Sequence, residues 1–351
     1  MKKILLSLFL LLILLSGCAP KEITPVVVFA AGSLIQPFNE LEKAFEAQYP
    51  HIDVQPEYHG SIQVVRHITE IGDDIDVAAS ADHALIPLLM YDKLVPETGV
   101  PYADWYLQFA SNEVVLAYTP ESAYADEINA DNWYEVLQQP DVRIGLSDPR
   151  FDALGYRVLM ILKLAELHYD SPGIFRAVIN DRFLTPISAY WEDGLTEISV
   201  PELIDPRPER GMYMRGSSIQ VVALMEAGEV DYSFQYKSVA LQNGFSMVGL
   251  PDELSLGSAA HAEDYQNVIV KIDFRRFASV EPVFQGERIS YGITIPTNAP
   301  HSEEAQLFVE FLLSEEGRAI MEAYHHPMFD PVLANQPENL PESMQGLTGP
   351  Q

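Results

Sequence analysis

The chain has 351 residues, 48% of them hydrophobic, too long and too apolar for a disordered polymer and enough for about two domains. Its 51 acidic and 21 basic residues leave a net charge of −30; such a surface repels nucleic acid and anionic lipid, and no basic stripe is present to read a phosphate backbone. The single cysteine excludes an intrachain disulfide and a cysteine-built zinc site.

Lys2 and Lys3 precede a predominantly apolar run from Ile4 to Leu15, the pattern of a secretory leader and short for a membrane span. Leu15-Ser16-Gly17-Cys18 follows directly. Small residues just before a cysteine resemble the lipobox of bacterial-type lipoproteins. Residues 1–18 therefore read as a lipoprotein signal peptide, with Cys18 the lipid-bearing residue and 19–24 a tether. A plain cleaved signal peptide is the alternative. Either reading puts the domain outside the cytoplasmic membrane, and the first anchors it there by lipid.

Val26-Val27-Val28-Phe29 predicts a first strand, and Ala30-Ala31-Gly32-Ser33 a small-residue turn. Leu34, Phe38, Leu41 and Phe45 recur as one face of a helix, with Ser33 as its N-cap and Pro37 tolerable in the first turn. Ile52 and Val54 alternate as a second strand. Gly60-Ser61 is a second turn, and Ile62, Val65, Ile68 and Ile71 begin a second helix. Further strands are predicted at 76–79, 114–118, 143–146, 232–234, 247–250 and 268–272, and further helices at 133–137, 154–167, 219–227 and 302–313. Strand–turn–helix repetition points to α/β sheets with helices on both faces. Ser171 to Arg210, rich in proline and mixed charge, reads as an irregular excursion, and the tail 331–351 as poorly ordered. The absence of Gly-x-Gly-x-x-Gly and of a Gly-Lys-Ser/Thr P-loop disfavours dinucleotide and nucleotide folds.

Ser33, Ser61 and Ser218 each fall at or next to a predicted helix start, where free N–H groups and the helix dipole hold a small anion without formal positive charge. Each serine alone is satisfied as a simple N-cap. Several such turns at one sheet edge form a ligand site.

The blocks Ala30-Ala31-Gly32-Ser33, Gly60-Ser61, Ser147-Asp148-Pro149 with Asp152-x-x-Gly155-Tyr156-Arg157, and Asp231-Tyr232-x-Phe234-x-Tyr236-Lys237-Ser238-Val239-Ala240 resemble the extracytoplasmic tungstate/molybdate-binding proteins of ABC importers. Tyr102 to Tyr106, Ser111 to Tyr118 and Asp131 to Tyr134 extend the resemblance from about Val28 to Tyr324. It implies a two-lobed periplasmic-binding-protein fold of the second type, with mixed sheets flanked by helices. The chain would cross between lobes twice, near Ser111 and near Pro296. Lobe 1 would then hold 25–111 and 297–330, and lobe 2 would hold 112–296. The implied role is monomeric and non-catalytic: capture of the oxyanion, closure of the lobes, and delivery to a membrane permease and ATPase. No cofactor is implied, only the tungstate or molybdate ligand.

By resemblance, Gly32, Ser33 and Ser61 hold the anion from the first lobe. Asp152, the backbone of Ala153 and Leu154, and the phenol of Tyr236 hold it from the second. Asp152 is open to three roles: direct ligand to tungsten or molybdenum, acceptor for the proton of hydrogen phosphate, or N-cap of the helix at Leu154. The family's second carboxylate stands eighteen residues before the site tyrosine; here that position is Ser218. A six-coordinate centre with two carboxylates is thereby put in doubt, and a four-coordinate anion held by hydrogen bonds becomes the expectation, with Ser218 among its contacts. Arg157 and Lys237 are expected to pair with carboxylates, with contact to the anion as the alternative; His325-His326 is expected to be a surface pair, and Met212, Met214, Met225 and Met247 to fill core gaps. Another tetrahedral oxyanion, phosphate or sulfate, is the alternative ligand. A secreted hydrolase is disfavoured by the lack of a Gly-x-Ser-x-Gly elbow or His/Asp metal spacing.

Overall fold

The computed structural model describes residues 23–273 and 282–350. Cys18, the leader and most of the tether lie outside the described residues.

A seven-stranded sheet organises the first half of the molecule, in the order β16 (Thr348–Pro350), β15 (Met328–Asn335), β4 (Tyr106–Ser111), β14 (Ser290–Thr294), β3 (Val77–Ser80), β1 (Thr24–Ala31), β2 (Ile52–His59). Its centre is β1 (Thr24–Ala31), parallel to β2 (Ile52–His59) on one side and β3 (Val77–Ser80) on the other. A strand paired on both edges and covered on its faces has little room for polar residues, which is why Val26 to Ala31 is an almost continuous apolar run. Pro37 lies in the first turn of α1 (Ile35–Gln48), where no intrahelical N–H is lost. The helix buries Phe38, Leu41 and Phe45, and Phe45 meets Phe308 edge-on at 5.4 Å. Helix α2 (Ser61–Arg66) follows β2 directly.

β4 (Tyr106–Ser111) is the last strand of this sheet before the chain enters a five-stranded sheet at β5 (Val114–Tyr118). The five-stranded order is β11-β5-β10-β6-β9, comprising β6 (Ile144–Ser147), β9 (Met212–Arg215), β10 (Tyr232–Tyr236) and β11 (Ser246–Gly249). After the short α3 (Trp133–Val136) and β6 comes α4 (Ala153–His168), buried nearly all round over its first three turns. A helix without a polar face has to be central, and α4 packs against β10 and β12 (Val268–Ile272). Helices α5 (Ile174–Val178), α6 (Ser218–Glu226) and α7 (Lys237–Gln242) also belong to this half.

The stretch expected to be irregular, Ser171 to Arg210, instead carries β7 (Ser188–Glu192) and β8 (Leu195–Val200). Asp193 and Gly194 between them both take positive φ, 49° and 88°, as a two-residue hairpin turn requires. The hairpin joins β12 (Val268–Ile272) and β13 (Val283–Gln285) in a four-stranded sheet. The return to the seven-stranded sheet comes at β14 (Ser290–Thr294), ahead of the expected Pro296, because β14 pairs with both β3 and β4. Helices α8 (Ser302–Leu313) and α9 (Glu315–Ala323) follow. The residues after Pro331 were expected to be poorly ordered. They instead include the second half of β15 (Met328–Asn335), antiparallel to β4, and β16 (Thr348–Pro350), parallel to β15. Val332 and Ala334 are buried there, so apolar burial at alternate positions overrides a Pro-, Gln- and Glu-rich composition.

Candidate functional site

The strand-to-helix turns of the two large sheets face each other. Gly32 to Leu34 form a single 3₁₀ turn before α1, and a Cβ added at Gly32 would lie 3.0 Å from the Ile219 side chain of α6. Ser33 makes no capping bond. Its buried hydroxyl lies 2.9 Å from the Tyr291 hydroxyl instead, so its expected role as N-cap is corrected: α1 begins at Ile35 and Leu34 holds the cap position. Gly60 is the N-cap of α2 and touches the opposite half: the Ile62 N–H donates to the Phe151 carbonyl at 3.2 Å. The Ser61 hydroxyl accepts the Ala81 N–H at 3.0 Å.

From the other side, Asp152 caps α4. Its Oδ1 accepts the Leu154 N–H at 2.8 Å and the Ser147 hydroxyl at 3.3 Å. Its Oδ2 accepts from Ser218, the N–H at 3.0 Å and the hydroxyl at 3.3 Å. Burial raises the Asp152 pKa, and these donors oppose the rise. Ala153 is the first residue of α4, where a backbone N–H has no partner within the helix. Tyr236, at the end of β10, is buried, and its phenol accepts from Arg157 Nη1 at 2.7 Å.

For Arg157 sequence reasoning favoured an ion pair with a carboxylate over contact with the anion. The residue forms the expected ion pair, with Asp82 at 3.3 Å, but does so inside the site, touching Tyr236. The same guanidinium donates to the Ala81 carbonyl at 2.7 Å, and Tyr156 donates to the Asp82 carboxylate. The Tyr156-Arg157 pair of α4 thus reaches across to the turn after β3. Burial alone would raise the Asp82 pKa; Arg157, His83 and the hydrogen bonds more than offset it and hold the carboxyl below its usual range. The links close into a ring: Ser33, Tyr291, Tyr236, Arg157, Ala81, Ser61, then Gly60 against Asp152, Ser218, and Ile219 against Gly32. The residues predicted to hold the anion belong to it or flank it; Cys18 lies outside the described residues. Sequence reasoning missed Tyr291, Asn112 and Asp82; Asn112, Tyr156 and Arg157 stand within the motif blocks, which alone do not reveal their roles.

His326 is fully buried rather than at the surface. Its ring meets Tyr291 edge-on at 5.4 Å and its Nε2 lies 3.3 Å from the Ser238 hydroxyl; desolvation pushes its pKa down to about 4. Lys237 pairs with Glu113 as expected. Met212 and Met225 are buried, while Met214 and Met247 pack at the core's margin.

Asp82, His83 and Glu287 offer ligand atoms within 4.8 Å of one another. The Arg157 charge beside Asp82 opposes a cation there. Burial first, then the Asp82 charge, pushes Glu287 up to about 8. The folded state therefore keeps a proton that the unfolded chain, titrating near the ordinary 4.5, has lost. Stability from this group is fully present below that ordinary value and is lost as pH rises toward about 8. Glu287→Gln is expected to flatten the fall of the thermal midpoint over that window. An unchanged pH profile of unfolding would show that no proton is held there.

The fold and site define a two-domain α/β ligand-binding protein whose turns converge from two sheets. Residues 26–326 match the family described as bacterial extracellular solute-binding protein, and the chain belongs to that family. It is 39% identical over 349 residues to an uncharacterized solute-binding protein of Petrotoga mobilis, covering 98% of this chain and 97% of the relative. It is 38% identical over 330 residues to the molybdate/tungstate-binding protein WtpA of Pyrococcus abyssi, covering 92% and 89%. Among solved structures it shares the fold of the periplasmic molybdate-binding protein of Azotobacter vinelandii (TM-score 0.54, 16% identity, 86% of this chain and 98% of that one). It equally shares that of the sulfate-binding protein SubI of Mycobacterium tuberculosis (TM-score 0.54, 13% identity, 88% of each chain).

Proposed function

We propose that this protein captures molybdate or tungstate outside the cytoplasmic membrane and delivers it to the permease and ATPase of an ABC importer. One observation carries the reading: hydroxyls and helix-start N–H groups from both large sheets meet in one buried ring, with no lysine among its members. The similarity to the Pyrococcus protein selects molybdate and tungstate among tetrahedral oxyanions. Gly32, Ser33 and Ser61 serve the anion from one lobe. Asp152, Ala153, Leu154, Ser218 and Tyr236 serve it from the other. The lobes divide where the strands change sheet, after Ser111 and before Ser290, and close over the ligand. The role is binding without turnover.

The ion is held four-coordinate. Ser218 supplies a hydroxyl where a second carboxylate would be needed, and the Asp152 oxygens already accept four hydrogen bonds. Asp152 therefore acts as the cap that fixes α4 and α6 around the anion, not as a ligand of the metal. Cys18 carries the lipid that tethers the domain. Titration calorimetry of the fragment beginning after Cys18, against tungstate, molybdate, sulfate and phosphate, tests the reading. Saturable one-to-one binding of the first two is expected. Failure of both to bind, with sulfate or phosphate binding, would overturn it.

A further inference from the structure

Apart from the anion's own contacts, one pair of carboxyls spans the division between the halves. Asp82 belongs to the seven-stranded side. It follows β3, its N–H donates to Ser80 Oγ and its Oδ1 accepts the Ala84 N–H, both at 3.0 Å. Glu287 belongs to the other side. It stands between Gly286, whose N–H donates to the Val268 carbonyl, and Ile289, whose N–H donates to the Leu256 carbonyl, both at 2.8 Å. The two side chains nevertheless meet, and Glu287 hydrogen-bonds to Asp82. Ionised carboxylates only accept, so this bond exists only while one of the two carries a proton. Arg157, 3.3 Å from Asp82, keeps that carboxyl charged, which leaves the proton on Glu287.

The groups facing Glu287 agree with this. His83, from the same turn as Asp82, brings its Nδ1 to 3.6 Å from Glu287 Oε1; burial holds its pKa below the ordinary 6.5, so it faces Glu287 uncharged at neutral pH. From α4, Tyr156 stacks on Phe284 at 4.3 Å and turns its hydroxyl to Asp82. The Arg157 charge favours ionising Glu287, but burial and the Asp82 charge outweigh it. Arg288, next in the chain, turns away: its Nε donates to the Gly257 carbonyl at 3.0 Å, and its guanidinium lies over the Phe329 ring at 5.2 Å.

We infer that Asp82 and a protonated Glu287 form a latch between the halves, so that closure on the oxyanion takes up one proton at Glu287 and loss of that proton loosens the grip. Glu287 is a positioning residue, acting through Asp82 and not on the ion. The inference rests on the oxyanion-binding reading above and adds to it a control of release. With the halves apart, water returns to Glu287 and it titrates near the ordinary 4.5; closed, it keeps its proton up to about 8. Between these values the closed form holds a proton that the open form lacks. Affinity therefore falls as pH rises, by up to about tenfold per pH unit. His83 would act in the opposite sense: uncharged when closed and more readily protonated when wet, it would make closure release a proton.

The test is calorimetric titration of molybdate into the wild type and Glu287→Gln, in buffers of low and high ionisation enthalpy, from about pH 5 to about pH 8. The wild type is expected to take up close to one proton per ion bound, with a Kd that rises across this range. The glutamine still donates to Asp82 but does not titrate. The variant is therefore expected to keep the affinity that the wild type shows at the acidic end, at every pH, with the proton uptake gone. Proton release by the wild type, or no exchange and a flat profile, overturns the inference and leaves the oxyanion reading standing. So does a variant that loses affinity by one factor at every pH while its uptake persists, the mark of a merely structural role. A wild type that binds molybdate at no pH defeats the oxyanion reading itself and this inference with it. Should Glu287→Gln fail to fold, Glu287→Asp, one methylene shorter, withdraws the carboxyl from Asp82, and the same loss of proton uptake is expected of it.

Discussion

Gly60→Ala is expected to leave the ligand-free protein as stable as before and to weaken molybdate binding by roughly tenfold to a hundredfold. The backbone at Gly60 has φ −65° and ψ 145°, which any residue adopts, so the substitution strains nothing locally. It removes unfolded-chain freedom, an effect that favours folding slightly. The conflict lies across the cleft: the added Cβ would sit 2.3 Å from the Phe151 carbonyl oxygen and 3.2 Å from the Asp152 Cα. Phe151 immediately precedes the residue that caps α4, so this backbone cannot retreat without dragging Asp152 and Ser218 with it. The two halves then stop short of their contact, and the hydroxyls of Ser33 and Ser61 no longer reach the same ligand as Tyr236. Calorimetry for affinity and thermal unfolding without ligand separate the two effects. Unchanged affinity would mean that the Gly60–Phe151 contact has no part in ligand capture.

How far the sequence foretells this site depends on how local each signal is. The strand–turn–helix units at Val26 to Phe45 and at Asp152 to Leu167 are legible because apolar period and small-residue turns are both local. The Asp152 cap is among the roles open to it for the same reason, since a carboxylate two residues before a helix N–H is a short-range pattern. The β7–β8 hairpin escapes the sequence reading although Asp193-Gly194 is a recognised turn signal, because the prolines on either side point to irregular chain. β14 and β15 have partners far away in sequence, and only pairing with β3 and β4 reveals them; the three-residue β16 is held by its pairing with β15. The same distance hides Tyr291. It lies 258 residues from Ser33 and 179 from Asn112, and no spacing rule reaches that far. Arg157 shows a different limit. A net charge of −30 makes an ion pair the natural expectation for any arginine, and the pair with Asp82 is there. Charge alone does not show that the paired guanidinium also backs the site phenol.

Gly155→Ala is expected to cost about 3 kcal/mol or more of folding stability, in contrast to Gly60→Ala. The added Cβ would fall 2.4 Å from the Ser147 carbonyl oxygen and 2.6 Å from the Pro149 nitrogen. The two clashes look alike in distance, but their partners differ. Gly60 meets the opposite half, which can swing away. Gly155 meets the turn that carries its own helix out of β6, and nothing there can move independently. Ser147 closes β6 and donates to Asp152, Pro149 lies in the turn, and Tyr156-Arg157 come next along α4. The spacing Asp-x-x-Gly-Tyr-Arg therefore packs three demands into six residues. Asp152 caps the helix and holds Ser218, Gly155 lets α4 sit against the β6 turn, and Tyr156 with Arg157 reaches Asp82 across the cleft. A urea midpoint lowered well below that of the wild type, at unchanged slope, is the expected result. A loss under about 1 kcal/mol would show that the turn yields, and that glycine is not what brings α4 so close to β6.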